Sequence, residues 1–355
     1  GEDQMTGTSN IKERTELANA VAIVGTCDAM CPPSEVEKRA RLGDLQGFER
    51  DPADPSQPVP HLMVKKFSRN QDNPPPEDIR SPAGLEKTME YLRELMDSSD
   101  KHFATVHKFL WDRYRGVRQD LKMQNLEDRF SIHIHEEMVR FHILAEHELC
   151  GATATAADHD GFNSHLNIEQ LNKCLISLMA MYKDHHRAGR PVPTEPEFRA
   201  VHFLTMIDAH GKYCPSPQQL VDMTKELPPS VLRSPQVQFS LDVYNSYTAG
   251  NWVRYFKLLR KAPIIPACLM HLFIRPMRAR ALRVINHALP KGHAFPCAEL
   301  QAQLLLNQGE SEAIELCEHY GLKVEMRDGA ACLIAKEAPF VPVPPPDAKR
   351  SDFII

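Results

Sequence analysis

The sequence predicts a mainly α-helical protein: an irregular helical-repeat solenoid that ends in a winged helix and follows an extended, proline-rich N-terminal strap. Three observations support this prediction. Residues 32 to 82 contain ten prolines, which exclude a continuous helix or a central strand there. From residue 83 to residue 274, apolar residues recur at helical spacing, and no convincing strand is found before about residue 294. Two short apolar runs then flank Asp328-Gly329, which is a hairpin signal.

The composition is that of a folded protein. The 355 residues are 42% hydrophobic, which is enough to bury a substantial core and excludes a disordered chain. No run approaches the roughly 18 apolar residues that span a bilayer, and the N-terminus GEDQMTGTSN lacks the features of an export signal. We therefore expect a soluble chain with no membrane partner. The formal net charge of -5 argues weakly against a general nucleic-acid binder.

The stretch GTCDAMCPPSE opens the predicted strap, residues 1 to 82. A structural zinc ion needs four ligands, and no second pair stands at finger spacing beside Cys27 and Cys31. The spacing also does not fit a thioredoxin-like redox pair. We expect both thiols to anchor an extended segment, and Ser34 with Glu37 to cap a short helix through about Leu45. Nine cysteines, mostly within apolar helical patterns, favour a reducing compartment.

Paired amphipathic helices with short loops make up the predicted solenoid, residues 83 to 274. LEKTMEYLRELM and HFATVHKFLWDRYRGVRQDL each place apolar residues on one face. Asn167 with Gln170 predicts one helix start, and the T-E-P-E sequence at 194 to 197 predicts another. Further helices are predicted at about 216–226, 234–249, 251–261 and 266–274.

Residues 275 to 340 are predicted to form three helices and a β-hairpin, the order of elements in a winged helix, before a tail at 341 to 355. Its last helix carries four glutamates that would meet DNA phosphates with the wrong sign. Those glutamates are Glu310, Glu312, Glu315 and Glu318. We therefore interpret this region as an assembly module rather than a sequence-reading one.

Enzyme and metal hypotheses find little support in the sequence. No P-loop, Rossmann, G-x-S-x-G, H-E-x-x-H or paired C-x-x-C pattern is present. One predicted helix carries four histidines, but their spacings do not direct two imidazoles at one ion. They are His133, His135, His142 and His147. We expect no catalytic residue, metal, cofactor or small-molecule substrate.

The most informative charge pattern lies in residues 251 to 291, which contain nine cations and no acidic residue in a net-acidic chain. Such a stretch attracts a phosphate backbone or an acidic peptide, and the alternative is a solvated surface. Three of the cations, Lys257, Arg260 and Lys261, are at i, i+3 and i+4 of a predicted helix. The predicted nucleic-acid-binding residues are Arg254, Lys257, Arg260, Lys261, Arg275, Arg278, Arg280, Arg283 and Lys291.

Several motifs in fixed order resemble those of the suppressor-of-actin/GANP family, and their residues are most similar to those of plant or algal members. The resemblance begins with VGTC at 24 to 27 and MCP at 30 to 32, and closes with KRSDFII. Between them lie FLWDRYRGVRQDL, LNIEQLNKCLISL, VPTEPEFRA and NWVRYFKLLRKA. Members of this family are scaffold subunits of the nuclear transcription-and-mRNA-export complex at the nuclear pore.

The resemblance implies the PCI architecture, in which helical repeats end in a winged helix. It also implies a second PCI-domain protein as partner, a small acidic proteasome-lid-like peptide that holds that partner, and a link to a DEAD-box export helicase. The joined pair would bind RNA or single-stranded nucleic acid. We predict that two segments contact a partner: Cys27, Met30, Cys31 and Pro32 in the strap, and Trp111, Arg113, Arg115 and Arg118 in WDRYRGVR. The alternative for the arginines is a local ion-pair network with Asp112 and Asp120.

These inferences favour a non-enzymatic scaffold of a nuclear mRNA-export complex that binds nucleic acid without sequence preference. A sequence-specific winged-helix DNA-binding regulator is the alternative, and a zinc-dependent hydrolase is a more remote one.

Overall fold

The computed structural model describes residues 23–51, 53–54, 59–69, 74–97, 102–151, 161–207, 217–351 and 354. The chain divides into two compact units, Gly1–Ile134 and His135–Ile355. The boundaries predicted after residues 82, 274 and 340 remain predictions. Cys214 and parts of the predicted strap and tail lie outside the described residues.

The described part of the first unit is helical with extended connections. Its helices are α1 (Pro33–Leu42), α2 (Pro82–Asp97), α3 (Phe103–Met123) and the start of α4 (Arg129–Glu148), with 3-10 turns at Gly47–Glu49, Pro60–Leu62 and Pro76–Asp78. Apolar residues at helical spacing in α2 and α3, among them Leu85, Leu92 and Leu110, are fully buried. The amphipathic pattern of the sequence therefore identifies the core side of both helices.

The strap segment lies extended against the first unit. Cys27 forms an isolated bridge with Arg80, and its backbone N–H donates to Ile79 O at 3.0 Å. A side chain at Gly84 of α2 would collide with Cys27 O, so the close approach of the strap to α2 requires glycine at this position. The predicted capping box is wrong, because α1 begins at Pro33 and ends at Leu42 without a side-chain cap. Ser34 lies inside the helix and donates to Asp78 Oδ1 instead.

The second unit continues the helical series. Its described helices before residue 272 are the rest of α4, α5 (Ser164–Arg187), α6 (Glu195–Thr205), α7 (Pro217–Lys225), α8 (Pro229–Leu232), α9 (Pro235–Thr248), α10 (Trp252–Leu259) and α11 (Ile264–His271). Helix α5 starts three residues before the predicted Asn167, because the Asn163 side chain accepts from Leu166 N. Thr194 precedes α6 as predicted, but its hydroxyl bonds to Glu136 rather than capping the helix.

The last part of the second unit combines three helices with a small sheet. The elements follow in the order α12 (Ile274–Ala288), β1 (Ala294–Pro296), α13 (Cys297–Leu304), α14 (Glu310–His319), β2 (Val324–Arg327) and β3 (Ala330–Ile334). The antiparallel sheet has the order β1-β3-β2, and Leu333 lies opposite both Phe295 and Val324.

The predicted β2–β3 hairpin is confirmed, with Asp328 and Gly329 both at positive φ in the turn. Strand β1 was not predicted, because three residues carry no readable period. The mainly helical fold class is confirmed, whereas the PCI-type winged helix remains a prediction. Within the described residues, no helix has the length and apolar character needed to cross a bilayer.

Candidate nucleic-acid interface

The basic stretch of residues 251 to 291 is presented by α10, α11 and α12. Asn251 caps α10 by accepting from Arg254 N at 2.9 Å. Tyr255 and Phe256 are buried, and Tyr255 donates its hydroxyl hydrogen to Met270 O at 2.5 Å. Complete burial raises the Tyr255 pKa well above its ordinary value, so the phenol remains a donor. With these residues facing inward, Arg254 and Lys257 are exposed.

Four of the nine predicted cations are exposed and have no ion pair or side-chain hydrogen bond with any described residue. They are Lys257, Lys261, Arg283 and Lys291, and we call them the unpaired cations. Helix α10 ends at Leu259, so Lys261 lies just beyond the helix that was predicted to carry it. Solvated cations without local carboxylates are available to an anionic ligand.

The other five cations contact the protein. Arg254 pairs with Asp242 at 2.9 Å, although both side chains are about half exposed. Arg275 donates to Pro346 O at 2.8 Å, and Arg280 donates to Tyr247 O at 2.7 Å. These contacts hold part of the predicted positive charge against the second unit.

Arg260 and Arg278 both donate to backbone carbonyls at the C-terminal end of α13. Arg260 contacts Ala302 O, whereas Arg278 donates to Leu304 O at 3.1 Å and also contacts Leu305 O. The last carbonyls of a helix have no partner within the helix and attract cations. Burial lowers the pKa of Arg278 to about 10, and Glu312 lies 3.5 Å away. Sequence reasoning did not predict that Arg260 and Arg278 would bind the end of α13, because no side-chain pattern indicates a backbone carbonyl acceptor.

The strap residues predicted to bind a partner are mostly covered by the first unit. Cys27 and Cys31 are 7% and 3% exposed, Pro32 is buried and Met30 is partly exposed. Burial raises the pKa of the Cys31 thiol, which therefore stays protonated. The placement of both thiols fits the anchoring role that the sequence suggested.

The WDRYRGVR segment divides between buried and accessible residues. Arg113 is buried, with Nη2 3.0 Å from Glu49 Oε1 and Nη1 bonded to Asp112. Arg115 lies between two rings, 3.8 Å from the Phe67 centroid and 4.5 Å from the Trp111 centroid. Trp111, Arg115 and Arg118 are partly exposed, so they are the members that can still meet a partner.

Arg113 and Asp120 belong to buried ion pairs, and the Arg113–Asp112 pair matches the local network that the sequence offered as an alternative. The more distant partners of these residues were not predicted. Lys65 Nζ is 2.6 Å from Asp120 Oδ1, and Arg80 Nε is 2.7 Å from Asp120 Oδ2. Glu49 joins Arg113 to Arg39. The residues of these distant pairs lie far apart in the sequence, so spacing gives no signal of the buried network that they form.

Two histidines of the predicted histidine helix, which is α4, contact residues of other helices. His142 Nδ1 is 2.6 Å from Asn167 Oδ1, and the His147 ring packs edge-on against His271. Burial lowers the pKa of His271 to about 4, so that ring is neutral at physiological pH. No group of three His, Cys, Asp or Glu side chains is placed to hold a metal ion within the described ranges.

Comparison with known proteins identifies relatives across most of the chain. A model of the SAC3/GANP family matches residues 30–326. The chain is 36% identical over 305 residues to SAC3 family protein B of Arabidopsis thaliana, covering 86% of the chain and 18% of that protein. It is 28% identical over 359 residues to SAC3 family protein 1 of Schizosaccharomyces pombe, covering 94% and 33%.

Protein xmas of Drosophila melanogaster is 30% identical over 327 residues, covering 88% of the chain and 15% of that protein. The chain thus spans no more than a third of the length of these three relatives. The matched residues include most of the helices and the first strands of the sheet, and they contain MCP and the four internal motifs of the predicted resemblance. VGTC at 24 to 27 and the closing KRSDFII lie outside the matched range. The chain belongs to the SAC3/GANP family.

Proposed function

We propose that this chain is a non-enzymatic scaffold subunit of a nuclear mRNA-export complex, located at the nuclear pore. In this proposal it pairs with a second PCI-domain protein and contributes to a platform that binds RNA without sequence preference. Family membership and the helical architecture support the scaffold role. A small acidic peptide that holds the partner, and a DEAD-box export helicase, complete the proposed set of partners.

The observation that carries the RNA-binding part is the group of unpaired cations on α10 and α12 and in the turns after them. All four are solvent-exposed within a stretch that contains no acidic residue. A phosphate backbone gains charge-assisted contacts with such side chains and releases counterions, whatever its base sequence. In contrast, Glu315 and Glu318 of α14 are exposed. A winged-helix regulator would need that surface for DNA, so the glutamates weigh against the alternative.

The test is the salt dependence of RNA binding after charge reversal at Lys257 and Lys261. We expect Lys257→Glu with Lys261→Glu to weaken binding of single-stranded RNA of unrelated sequences to the same extent. Each lost phosphate contact should reduce the slope of log K against log salt by about 0.7. Fluorescence anisotropy over a series of salt concentrations measures both quantities.

The matched control is Lys38→Glu with Lys122→Glu, which makes the same change in net charge at exposed lysines outside the basic stretch. Circular dichroism verifies that each variant is folded. Equal losses for the two double variants would mean that only net charge matters, and an unchanged slope would remove RNA binding from this surface. A preference of several kcal/mol for one DNA sequence would favour the regulator instead.

A further inference from the structure

A groove runs between α12 and the segment that follows β3, at one end of the proposed RNA-binding stretch. Its volume is about 760 Å³, which lies within the roughly 300–1,000 Å³ of clefts that hold small ligands. Two predicted RNA-binding residues, Arg280 and Arg283, line one side, while Lys336 and Phe340 belong to the segment opposite. The groove therefore brings the basic stretch together with residues that sequence reasoning had not connected to it.

Hydrogen bonds hold the wall of the groove in place. The Asn286 side chain donates to Ala338 O at 3.1 Å and accepts from Lys336 N at 2.8 Å. One residue of α12 thereby fixes the segment after β3 at two points. Farther along, the Phe340 ring stacks on Tyr320 with a centroid distance of 4.8 Å and an interplanar angle of 17°. The ring is thus presented by an ordered wall.

The groove combines an apolar lining with positive charge. Val284 is 43% exposed, and Ala288 and Phe340 also line the groove. The lining contains three cations, Arg280, Arg283 and Lys336, and one carboxylate, that of Glu337. Arg283 and Lys336 have no ion pair with any residue that the structure describes, whereas Arg280 stays bonded to Tyr247 O.

This chemistry matches one nucleotide of a single strand. An unpaired base can stack on an aromatic ring, and base–aromatic stacking is a main contribution to single-strand binding that depends little on sequence. Cations beside such a ring contact the flanking phosphates. A base inside a duplex is already stacked and paired, so it cannot enter without a cost.

We propose that the groove seats one unpaired nucleobase against Phe340, with Arg283 and Lys336 contacting the adjacent phosphates, so that this surface prefers single-stranded over duplex nucleic acid. The proposal deepens the proposed function and rests on it, because it assigns the groove to the same RNA-binding surface. Charge alone attracts any phosphate backbone, whereas the groove adds recognition of an exposed base.

The test compares three probes of equal length on the 355-residue chain: a labelled RNA of mixed sequence, the same RNA annealed to its complement, and an RNA with abasic central positions. Ala288→Leu narrows the groove without changing charge, and Ala298→Leu is the control at an exposed alanine of α13 outside the groove. Phe340→Leu removes the ring while keeping an apolar contact for Tyr320.

We expect Ala288→Leu and Phe340→Leu each to weaken binding of the intact single strand about tenfold, the range of one lost stacking contact. Binding of the abasic and duplex probes should be unchanged, and Ala298→Leu should behave as the parent chain. Reversal of Lys257 and Lys261 should instead weaken all three probes. This pattern separates the groove from the general electrostatic surface.

Equal affinity of the parent chain for intact and abasic RNA would overturn the groove proposal while leaving the proposed RNA platform standing. Unchanged binding of the intact strand by both groove variants would have the same consequence. If the parent chain binds none of the three probes at low salt, the basic stretch does not bind RNA by itself, and the groove proposal fails. If the chain instead binds an acidic peptide preferentially, and Ala288→Leu weakens that binding, the groove holds a protein ligand and the nucleobase proposal is overturned.

Discussion

Two groups of lysine and arginine side chains, one in each unit of this protein, lie in opposite environments. In the first unit, Lys65, Arg80 and Arg113 are almost completely buried and each contacts a carboxylate. In the second, Lys257 and Lys261 are exposed, with no carboxylate partner among the described residues. A buried charge requires a partner, since desolvation is expensive, whereas an exposed charge is stabilised by water and remains free for a ligand. Charge count is therefore a poor guide to a binding surface.

Removing the shared carboxylate of the buried network should have the largest effect on stability. Asp120→Asn leaves Lys65 and Arg80 without their anionic partner in a site where all three residues are fully buried. Breaking a buried pair in this way costs about 3–5 kcal/mol. Chemical denaturation followed by circular dichroism measures the loss.

Glu169→Gln provides the control, because Glu169 and its partner Lys173 are 44% and 49% exposed. An exposed pair contributes about 0–1 kcal/mol. Similar losses for the two variants would show that burial does not set the importance of these pairs, contrary to the comparison between the units.

Glu146 sharpens the comparison, because it is a buried carboxylate whose described hydrogen-bond partners are neutral. Asn167 Nδ2 and Ser164 Oγ each donate to it at 2.8 Å. Burial raises its pKa from 4.5 to about 7, against the lowering effect of these two hydrogen bonds. The protonated form of Glu146 is thus favoured in the folded state. Asp120 differs in its surroundings, because both of its carboxylate oxygens contact cations.

The raised Glu146 pKa predicts a stability change with a defined sign. Its proton stabilises the fold fully below pH 4.5, and this contribution is lost as the pH rises through about 7. Glu146→Gln, which needs no proton, should therefore gain stability relative to the parent chain as the pH rises from 5 to 8, by on the order of 2 kcal/mol. Denaturation midpoints of both chains across this range give the difference, and a constant difference would contradict the assignment.

The smallest predicted effect distinguishes two neighbours on α10. Arg254 pairs with Asp242, so part of its charge is neutralised, whereas Lys257 has no such partner in the described structure. Lys257→Ala should consequently reduce the salt slope of RNA binding more than Arg254→Ala, with a difference of no more than about 0.7. Asp242→Asn is the matched control. In a chain that lacks this carboxylate, Arg254→Ala should reduce the salt slope nearly as much as Lys257→Ala does. Identical slopes for the two alanine variants would mean that the surface ion pair is too weak to matter.

Much of the fold was readable from the sequence, because amphipathic spacing survives in the final packing. The predicted helix at 234–249 is observed as α9, Pro235–Thr248, and the hairpin turn at Asp328 and Gly329 is observed as predicted. The positions at which helices begin were predicted less accurately. Asn167 looked like a helix cap, but its side chain points into the second unit, bonded to His142 O and Glu146. A polar residue that satisfies a buried neighbour has the same sequence signature as one that caps a helix.

The sequence by itself determined the helical class, the family and the concentration of positive charge in residues 251 to 291, since periodicity, ordered motifs and local composition are properties of the chain. Tertiary structure decided which of those charges are free. Arg260 and Arg278 are engaged by backbone carbonyls of α13, although those acceptors lie 26 to 43 residues away. Every residue carries the same carbonyl group, so no side-chain pattern predicts which helix end will have its last carbonyls hydrogen-bonded by a cation.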